Sequence, residues 1–287
     1  MNKKPAKTDQ PADKVLTIST RAEKKQVEER LAIGANVVYE TIRLEGEEEL
    51  HRTASALAWS AFAAGLSMGS SFIAEGILAA RLPDQPWRPL ISRAGYCIGF
   101  LMVILGRQQL FTENTLTVVL PLLARKDLST LLRMLRLWMV VLASNLFGTF
   151  LFALCIGKIH IFDSSIQQSL TEIGTSHLGA GFGTVLVRGI FAGWLIALMV
   201  WLLPGAESAR VSIIILVTYL IGISGFSHII AGSTTMFFLI VTHVISWKIY
   251  FAQFFVPTLL GNIIGGVSLV AALGHAQVVG GKDIVEG

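Results

Sequence analysis

The sequence predicts an all-α membrane protein with six transmembrane helices, arranged as two inverted repeats of three helices, in which helices 2 and 5 are broken. Three observations lead to this fold class. The chain of 287 residues is 53% hydrophobic and 15% charged, which leaves too few polar residues to cover a soluble globule. Two polar, glycine-containing stretches interrupt long apolar runs. A short Asn-x-x-Gly motif recurs at nearly the spacing of these interruptions.

The first fifty residues differ in composition from the rest of the chain. Residues 1–19 are rich in Lys and Pro and poor in apolar residues, which is typical of a disordered N-terminal tail. Residues 20–52 predict a cytoplasmic amphipathic helix, with a capping box formed by Thr20 and Glu23. We interpret it as a solvated helix that leads into the first span. Its apolar stripe also suits a membrane surface or a neighbouring subunit.

A channel domain of six spans follows at residues 53–274, and a C-terminal tail occupies residues 275–287. A span needs about 20 apolar residues. Four stretches are long enough, and two pairs of half-length stretches make one span each. In chain order, the predicted spans are Ala54 to Ala80, Ala94 to Gly106 with Thr115 to Ala124, Met134 to Gly157, Phe182 to Leu203, Ser212 to Phe226 with Thr234 to Ser246, and Phe251 to Leu273.

The two breaks, around Thr112 and His228, are the predicted functional centre. Unpaired backbone groups at membrane depth survive only where they are buried in protein or line a watery cavity. Paired breaks in the two halves of a chain therefore indicate a transporter's binding site. We expect half-helices that start near Asn114 and Thr234 to point their N-terminal ends at the centre, where they favour an anion. The expected capping residues are Thr112, Asn114, Ser233 and Thr234.

The internal repeat relates Asn145-Leu-Phe-Gly148 to Asn262-Ile-Ile-Gly265. Because each half contains three spans, the second copy must enter the membrane from the opposite side. Taken alone, each Asn-x-x-Gly also suits a helix contact made through small residues.

Four ionisable residues lie within or beside spans, namely Glu75, Arg107, Glu113 and Arg188. Charges at membrane depth are costly unless they are paired. We predict an ion pair between Glu75 and Arg188. For Arg107 there are two interpretations: it snorkels to the interface or pairs with Glu113, or its fixed charge attracts anions near the constriction.

Lys and Arg cluster before Thr53 and between Arg125 and Arg136, which predicts that both termini are cytoplasmic. Cys97 and Cys155 lie in apolar runs and indicate packing rather than a disulfide. No phosphate loop, nucleophile elbow or metal-ligand spacing occurs. We expect no enzymatic activity, cofactor, metal or nucleic-acid partner.

Several motifs occur in order: Leu110-Phe111-Thr112, Gly189-Ile-Phe-Ala192, Gly225-Phe226-Ser227-His228 and Gly261-Asn262-Ile-Ile-Gly265-Gly266. Together they resemble the formate/nitrite transporter family over about Ala54 to Leu273. The resemblance implies an aquaporin-like protomer, a homopentamer with one pore in each protomer, and small monovalent anions as substrates, such as formate, nitrite, lactate or hydrosulfide. It also implies that His228 is the central pore histidine, that Thr112 is its partner, and that Leu110 and Phe111 belong to a hydrophobic constriction.

The sequence departs from the family pattern at the pore. The family usually has Glu at the position of Ser227, and Asn at the positions of Gly193 and Gly232. The family's outer lysine has no match, and the nearest polar residue is His177. The pore lining of this chain is therefore expected to differ from that of its relatives.

These observations predict an inner-membrane channel for a small monovalent anion or its conjugate weak acid. The predicted pore or substrate-binding residues are His228, Thr112, Leu110, Phe111, Phe226, Asn262, Asn145 and Arg107. A neutral imidazole at His228 can exchange a proton with an anion, or it can simply hydrogen-bond Thr112 and brace the broken helix. Two other functions remain open, a non-conducting membrane scaffold or sensor and a pore for small neutral solutes.

Overall fold

The computed structural model describes residues 33–159 and 161–271, and within these ranges every regular element is helical. We number the helices along the chain. Before the first break they are α1 (Ala35–His51), α2 (Ala54–Arg81) and α3 (Arg88–Leu105), and between the breaks α4 (Phe111–Thr117), α5 (Val119–Arg125), α6 (Leu128–Lys158), α7 (Ser164–Thr175), α8 (Phe182–Leu202) and α9 (Arg210–Ser224). After the second break come α10 (Ile229–Val241) and α11 (Trp247–Ser268), which contains one π-helical stretch at Tyr250–Phe255 and runs into a second at Gly265–Ala271.

Six of these helices are long and apolar enough to cross a membrane, which confirms the predicted fold class. Two of the predicted boundaries are wrong. The half-helices begin at Phe111 and Ile229, not near Asn114 and Thr234. The polar residues between these positions belong to the first turns, because asparagine side chains from other helices accept the first backbone N–H of each half-helix.

The two broken spans run in opposite directions through the protein. In the first, α3 runs to the centre, and α4 and α5 continue to the surface on which α1 packs. In the second, α9 runs to the centre, and α10 continues to the side on which α7 packs. We call these surfaces the α1 face and the α7 face. Gly225 ends α9 in a left-handed conformation with a φ of 64°, which glycine adopts without strain. The opposite courses of α4 and α10 fit the inverted repeat.

Glycines bring the first and third spans of each half into close contact. A β-carbon on Gly65 of α2 would collide with the carbonyl oxygen of Asn145 on α6. In the second half, a β-carbon on Gly193 of α8 would collide with the carbonyl oxygen of Asn262 on α11. An Asn side chain, usual in the family at the position of Gly193, therefore has no room here. The glycine of the Asn-x-x-Gly motif does serve helix contact, since Gly148 approaches Gly65.

Helix α1 packs on the chain's own spans. Its apolar side chains Val38, Tyr39 and Ile42 are buried, and a β-carbon on Gly46 would collide with the carbonyl oxygen of Thr117. An ion pair of 3.2 Å joins Glu47 to Arg125. The solvated helix expected from the sequence is therefore a docked one from Ala35 onward. The capping box at Thr20 lies outside the described residues.

Asp127 caps the N-terminus of α6, which begins at the α1 face. Its carboxylate accepts hydrogen bonds from the Ser129 hydroxyl at 2.6 Å and from the Thr130 backbone N–H at 2.9 Å. These bonds hold the pKa of Asp127 well below its usual range, because they stabilise the ionised form. The cap fixes where the longest helix of the bundle begins.

Candidate functional site

The two half-helices meet at a hydrogen bond between His228 and Thr112. His228 Nε2 lies 2.8 Å from Thr112 Oγ1, and the two residues are 1% and 0% exposed. Thr112 lies in the first turn of α4, and His228 immediately precedes α10. The structure therefore brings together the two residues that the sequence placed at the centre.

The hydrogen bonds of His228 determine which ring nitrogen carries the proton. The backbone N–H of Ala231 donates to His228 Nδ1 at 3.2 Å, and this bond caps α10. Nδ1 therefore carries no hydrogen, and the hydrogen of the neutral ring is on Nε2, which donates to Thr112 Oγ1. The Thr112 hydroxyl then keeps its own hydrogen for another acceptor. The centre is an uncharged group of donors at the N-terminal ends of two helices.

Two buried asparagines hold the breaks in equivalent ways. Asn145 Oδ1 accepts from the Phe111 N–H at 2.9 Å, and its Nδ2 donates to the carbonyls of Ala61 and Gln109. In the second half, Asn262 Oδ1 accepts from the Ile229 N–H at 2.8 Å, and Asn262 Nδ2 donates to the carbonyls of Gly189 and Ser227.

Both amide hydrogens of each asparagine are used in these bonds, so we assign Asn145 and Asn262 a positioning role. The capping groups at the break are thus Asn145, Asn262 and His228. The capping role expected for Thr112, Asn114, Ser233 and Thr234 is wrong, because all four lie inside the helices.

Apolar side chains close the centre on the side of α4. Leu110 and Phe111 are 0% and 1% exposed, and Phe111 packs edge-on against Trp138 with ring centroids 5.8 Å apart. Phe100 lies edge-on to the His228 imidazole at 5.0 Å. Phe226 is half-buried and stacks on Phe191 at 5.2 Å. Apart from His228, none of the side chains in these contacts is ionisable.

A cavity that we call the vestibule lies beside His228 and extends towards the α7 face. Its polar wall is formed by Glu75, Arg93, Tyr96, His177, Ser227 and His228. His177 follows α7, outside the spans. Burial, with the positive charges of Arg93 and Arg188, lowers the pKa of His177 to about 4, so its imidazole is neutral at physiological pH.

Glu75 is paired with Arg93, and the predicted pair of Glu75 and Arg188 is wrong. Arg93 Nη1 donates to Glu75 Oε2 at 2.9 Å. The first turns of α3 pack on α2 beside this pair, because Ser71 Oγ donates to the Tyr96 carbonyl. The predicted second span began at Ala94 and left Arg93 outside it, whereas the helix begins at Arg88 and includes Arg93. Arg188 contributes its backbone carbonyl, which accepts from the Ser227 N–H at 3.3 Å.

Arg107 lies in the first break, with an exposed side chain and a φ of 49°. Its side chain makes no hydrogen bond or ion pair within residues 33–159 and 161–271, so the pairing with Glu113 considered from the sequence does not form there. Glu113 has one buried carboxyl oxygen without a hydrogen-bond partner among the described residues, and the positive charge that acts on it is that of Arg210.

Sequence reasoning missed three contributors to the site, namely Gln109, Phe100 and Arg93. Gln109 Oε1 accepts from Asn114 at 2.9 Å inside the break. Phe100 looked like any other apolar span residue. Arg93 carried a usable signal, since an arginine at the edge of an apolar run requires a nearby acid.

Comparison with known proteins gives consistent results. The model of the formate/nitrite transporter family matches residues 36–276. The inner membrane protein YfdC of Escherichia coli strain K12 is 40% identical over 276 residues, which cover 95% of this chain and 89% of that protein. The formate channel BtFdhC of Bacillus thuringiensis is 25% identical and covers 78% of this chain and 88% of that protein.

Two solved structures share the fold. A pentameric formate channel with formate bound superposes with a TM-score of 0.67 and 21% identity, and the match covers 79% of this chain and 98% of that one. An ion channel of the same family gives a TM-score of 0.73 with 20% identity, over 84% of this chain and 98% of that one. The resemblance inferred from the sequence motifs is therefore confirmed, and the chain belongs to the formate/nitrite transporter family.

Proposed function

We propose that this protein is a channel for a small monovalent anion or its conjugate weak acid, with the centre at His228 and Thr112. One observation carries the proposal. The N-terminal ends of two half-helices meet at one buried hydrogen bond, where the helix dipoles favour negative charge. The free donor is the hydrogen of the Thr112 hydroxyl, whose oxygen accepts from the imidazole, and both groups are uncharged. Such a site attracts an anion without holding it tightly, which suits conduction.

The apolar residues around the centre define the pathway in this proposal. Leu110 and Phe111 form the constriction on the side of the α1 face, and Phe226 forms the one on the side of the vestibule. A charged substrate loses its hydration at these two constrictions, so passage as the neutral acid costs less free energy than passage as the anion. The fixed charge of Arg107 would attract anions to the break between α3 and α4.

Relatives support the assembly and the location that we propose. One solved structure with this fold is a pentameric formate channel, and one relative is an inner membrane protein. We propose that this chain likewise forms a homopentamer in a bacterial inner membrane, and that the α1 face is cytoplasmic. The α1 face carries a cluster of basic residues, including Arg125, Arg133 and Arg136, which agrees with cytoplasmic orientation.

Flux into proteoliposomes tests the proposal, with formate and nitrite as anionic probes and formamide as an uncharged analogue of formate. Stopped-flow light scattering reports the uptake of each solute. Formate or nitrite must enter faster than into protein-free liposomes. Arg107→Gln is expected to slow formate more than formamide, and an equal loss for both solutes would show that Arg107 is structural. No uptake of any anion by folded protein would refute a channel of this class.

A membrane scaffold or sensor without conduction is the second candidate. It is favoured by the altered vestibule, in which Phe254 occupies the space that a side chain at Gly232 would need. Absence of flux for formate, nitrite and formamide alike would favour this function. Rapid formamide flux without formate flux would instead indicate a pore for small neutral solutes.

A further inference from the structure

Glu75, the acid that faces the vestibule, has one carboxyl oxygen without a hydrogen-bond partner among the described residues. Glu75 is 3% exposed, and its Oε2 accepts from Arg93 at 2.9 Å. Its other oxygen, Oε1, is buried and has no hydrogen-bond partner among the residues that the structure describes. A buried carboxyl oxygen without a partner is costly. A proton on Oε1, or a ligand that donates to it, would remove this cost.

The central histidine is poorly suited to supply a proton by itself. His228 Nδ1 accepts the Ala231 N–H, and the hydrogen on Nε2 is donated to Thr112. A second hydrogen on His228 must go to Nδ1, where it would face the Ala231 N–H and remove the cap of α10. His177 lines the same vestibule, and its pKa of about 4 leaves it without a spare proton at neutral pH. Neither histidine is thus a ready proton donor for a substrate anion, and Glu75 is the one carboxyl group among the described residues that line the vestibule.

We propose that Glu75 is the proton donor and protonates the substrate anion in the vestibule, before the substrate passes His228. The inference rests on the proposed function, since it needs a weak-acid anion as substrate. The O–H bond at Glu75 breaks and a new O–H bond forms on the substrate oxygen. The product carboxylate keeps its hydrogen bond to the Arg93 guanidinium, and water of the vestibule returns a proton to Glu75.

Arg93 suits both halves of this step. Its positive charge attracts the incoming anion and then stabilises the Glu75 carboxylate after the proton has left. The uncharged acid that forms meets the apolar ring of Phe226 and the neutral centre at a lower cost than the anion. The titratable groups near Glu75 come from three places among the described residues. They are Arg93, Tyr96 and Cys97 on α3, His177 after α7, and His228 before α10; no charged side chain of α6 acts on Glu75.

The test uses full-length protein in liposomes, and measures formate and formamide uptake across a pH series. Glu75→Gln keeps an oxygen that can accept from Arg93 but has no acidic proton. We expect formate uptake at neutral pH to fall roughly tenfold or more and its pH dependence to flatten, because a general acid has been removed. Formamide uptake should stay within about twofold, since formamide needs no proton. Glu172→Gln, at an exposed acid of α7, is the matched control and should match the wild type.

Two results would overturn the inference while leaving the channel function intact. One is an unchanged pH profile of formate uptake in Glu75→Gln, and the other is an equal loss of formate and formamide, which indicates a structural ion pair. If Glu75→Gln does not fold, Glu75→Asp decides the question, because it keeps a titrating proton. Its formate uptake must then retain a pH dependence, and a flat profile would refute the proton transfer. A wild-type protein without any anion flux would instead refute the proposed function and this inference together.

Discussion

Removing one buried asparagine should destabilise the whole broken span that it holds. Asn262→Ala deletes three hydrogen bonds, to the Ile229 N–H and to the Gly189 and Ser227 carbonyls. The Ile229 N–H and the Gly189 carbonyl then lose a bond in a buried environment, and the Ser227 carbonyl loses one at the half-buried wall of the vestibule. The equivalent change in the first half is Asn145→Ala, and the matching hydrogen bonds predict a loss of similar size.

The magnitude follows from the number of bonds. At about 0.6 kcal/mol for each side-chain hydrogen bond in a membrane protein, three bonds give a lower estimate of about 2 kcal/mol. Backbone groups left without a partner cost about 1–3 kcal/mol each, and partial relaxation or entering water reduces that sum. We therefore expect the free energy of unfolding to fall by about 2–5 kcal/mol.

Unfolding in mixed micelles with increasing SDS, followed by tryptophan fluorescence, measures this loss. Thr149→Val is a control in the same helix as Asn145, since the Thr149 hydroxyl donates only to the Leu146 carbonyl one turn away. That variant should lose less than about 1 kcal/mol. If Asn262→Ala and Asn145→Ala are no less stable than Thr149→Val, the two asparagines do not hold the breaks.

Three further predictions concern the caps and the close contacts. Asp127→Asn should lower the melting temperature at pH 7, because a carboxylate with a lowered pKa stabilises the fold only while it is ionised. This difference should begin to shrink as pH falls below about 4, where an unperturbed Asp is protonated, and should be lost only below the lowered pKa of the folded state; a difference independent of pH would contradict the assigned cap. Gly232→Asn should destabilise the protein by about 1–3 kcal/mol through its collision with Phe254, and a double variant with Phe254→Leu should be more stable than the sum of the single changes, as measured by a double-mutant cycle in SDS unfolding. Gly46→Leu should release α1 from the Thr117 backbone and speed the cleavage of α1 by trypsin. Gly34→Leu, at a position with open space around it, should not change the cleavage rate. Equal cleavage of both variants would show that the contact at Gly46 does not hold α1.

The positions of the spans and breaks were predictable because the bilayer imposes a simple rule on hydrophobic length. The central pair of Thr112 and His228 was predictable as well, since polar residues in an apolar run need a reason to be there. The starting residues of α4 and α10 were not. A helix normally begins after a polar residue that caps it, but Leu110 precedes α4, and the acceptor for its first N–H comes from Asn145, 34 residues away.

The partner of Glu75 was misassigned for a related reason. Depth in the membrane made Arg188 a suitable partner, but depth does not say which side of a helix a residue occupies. The contact between α2 and α3 decides the pairing, and it depends on Gly95, where a β-carbon would lie 2.5 Å from the Glu75 backbone nitrogen. Such an approach of two backbones has no signature beyond a glycine in an apolar run.

The reciprocal asparagine bonds also determine when each half of the centre can form during synthesis. The Phe111 N–H cannot reach its acceptor until α6, which carries Asn145, has entered the membrane. Likewise, the backbone at His228 is not held until Asn262 on α11 has been inserted, and α11 is the last helix described. A ribosome that stalls before α11 therefore leaves a nascent chain with five of its six spans and an unsealed second break, which exposes polar backbone to the lipid. Insertion of the final span therefore supplies the side-chain partner that the Ile229 N–H and the Ser227 carbonyl have in the folded protein.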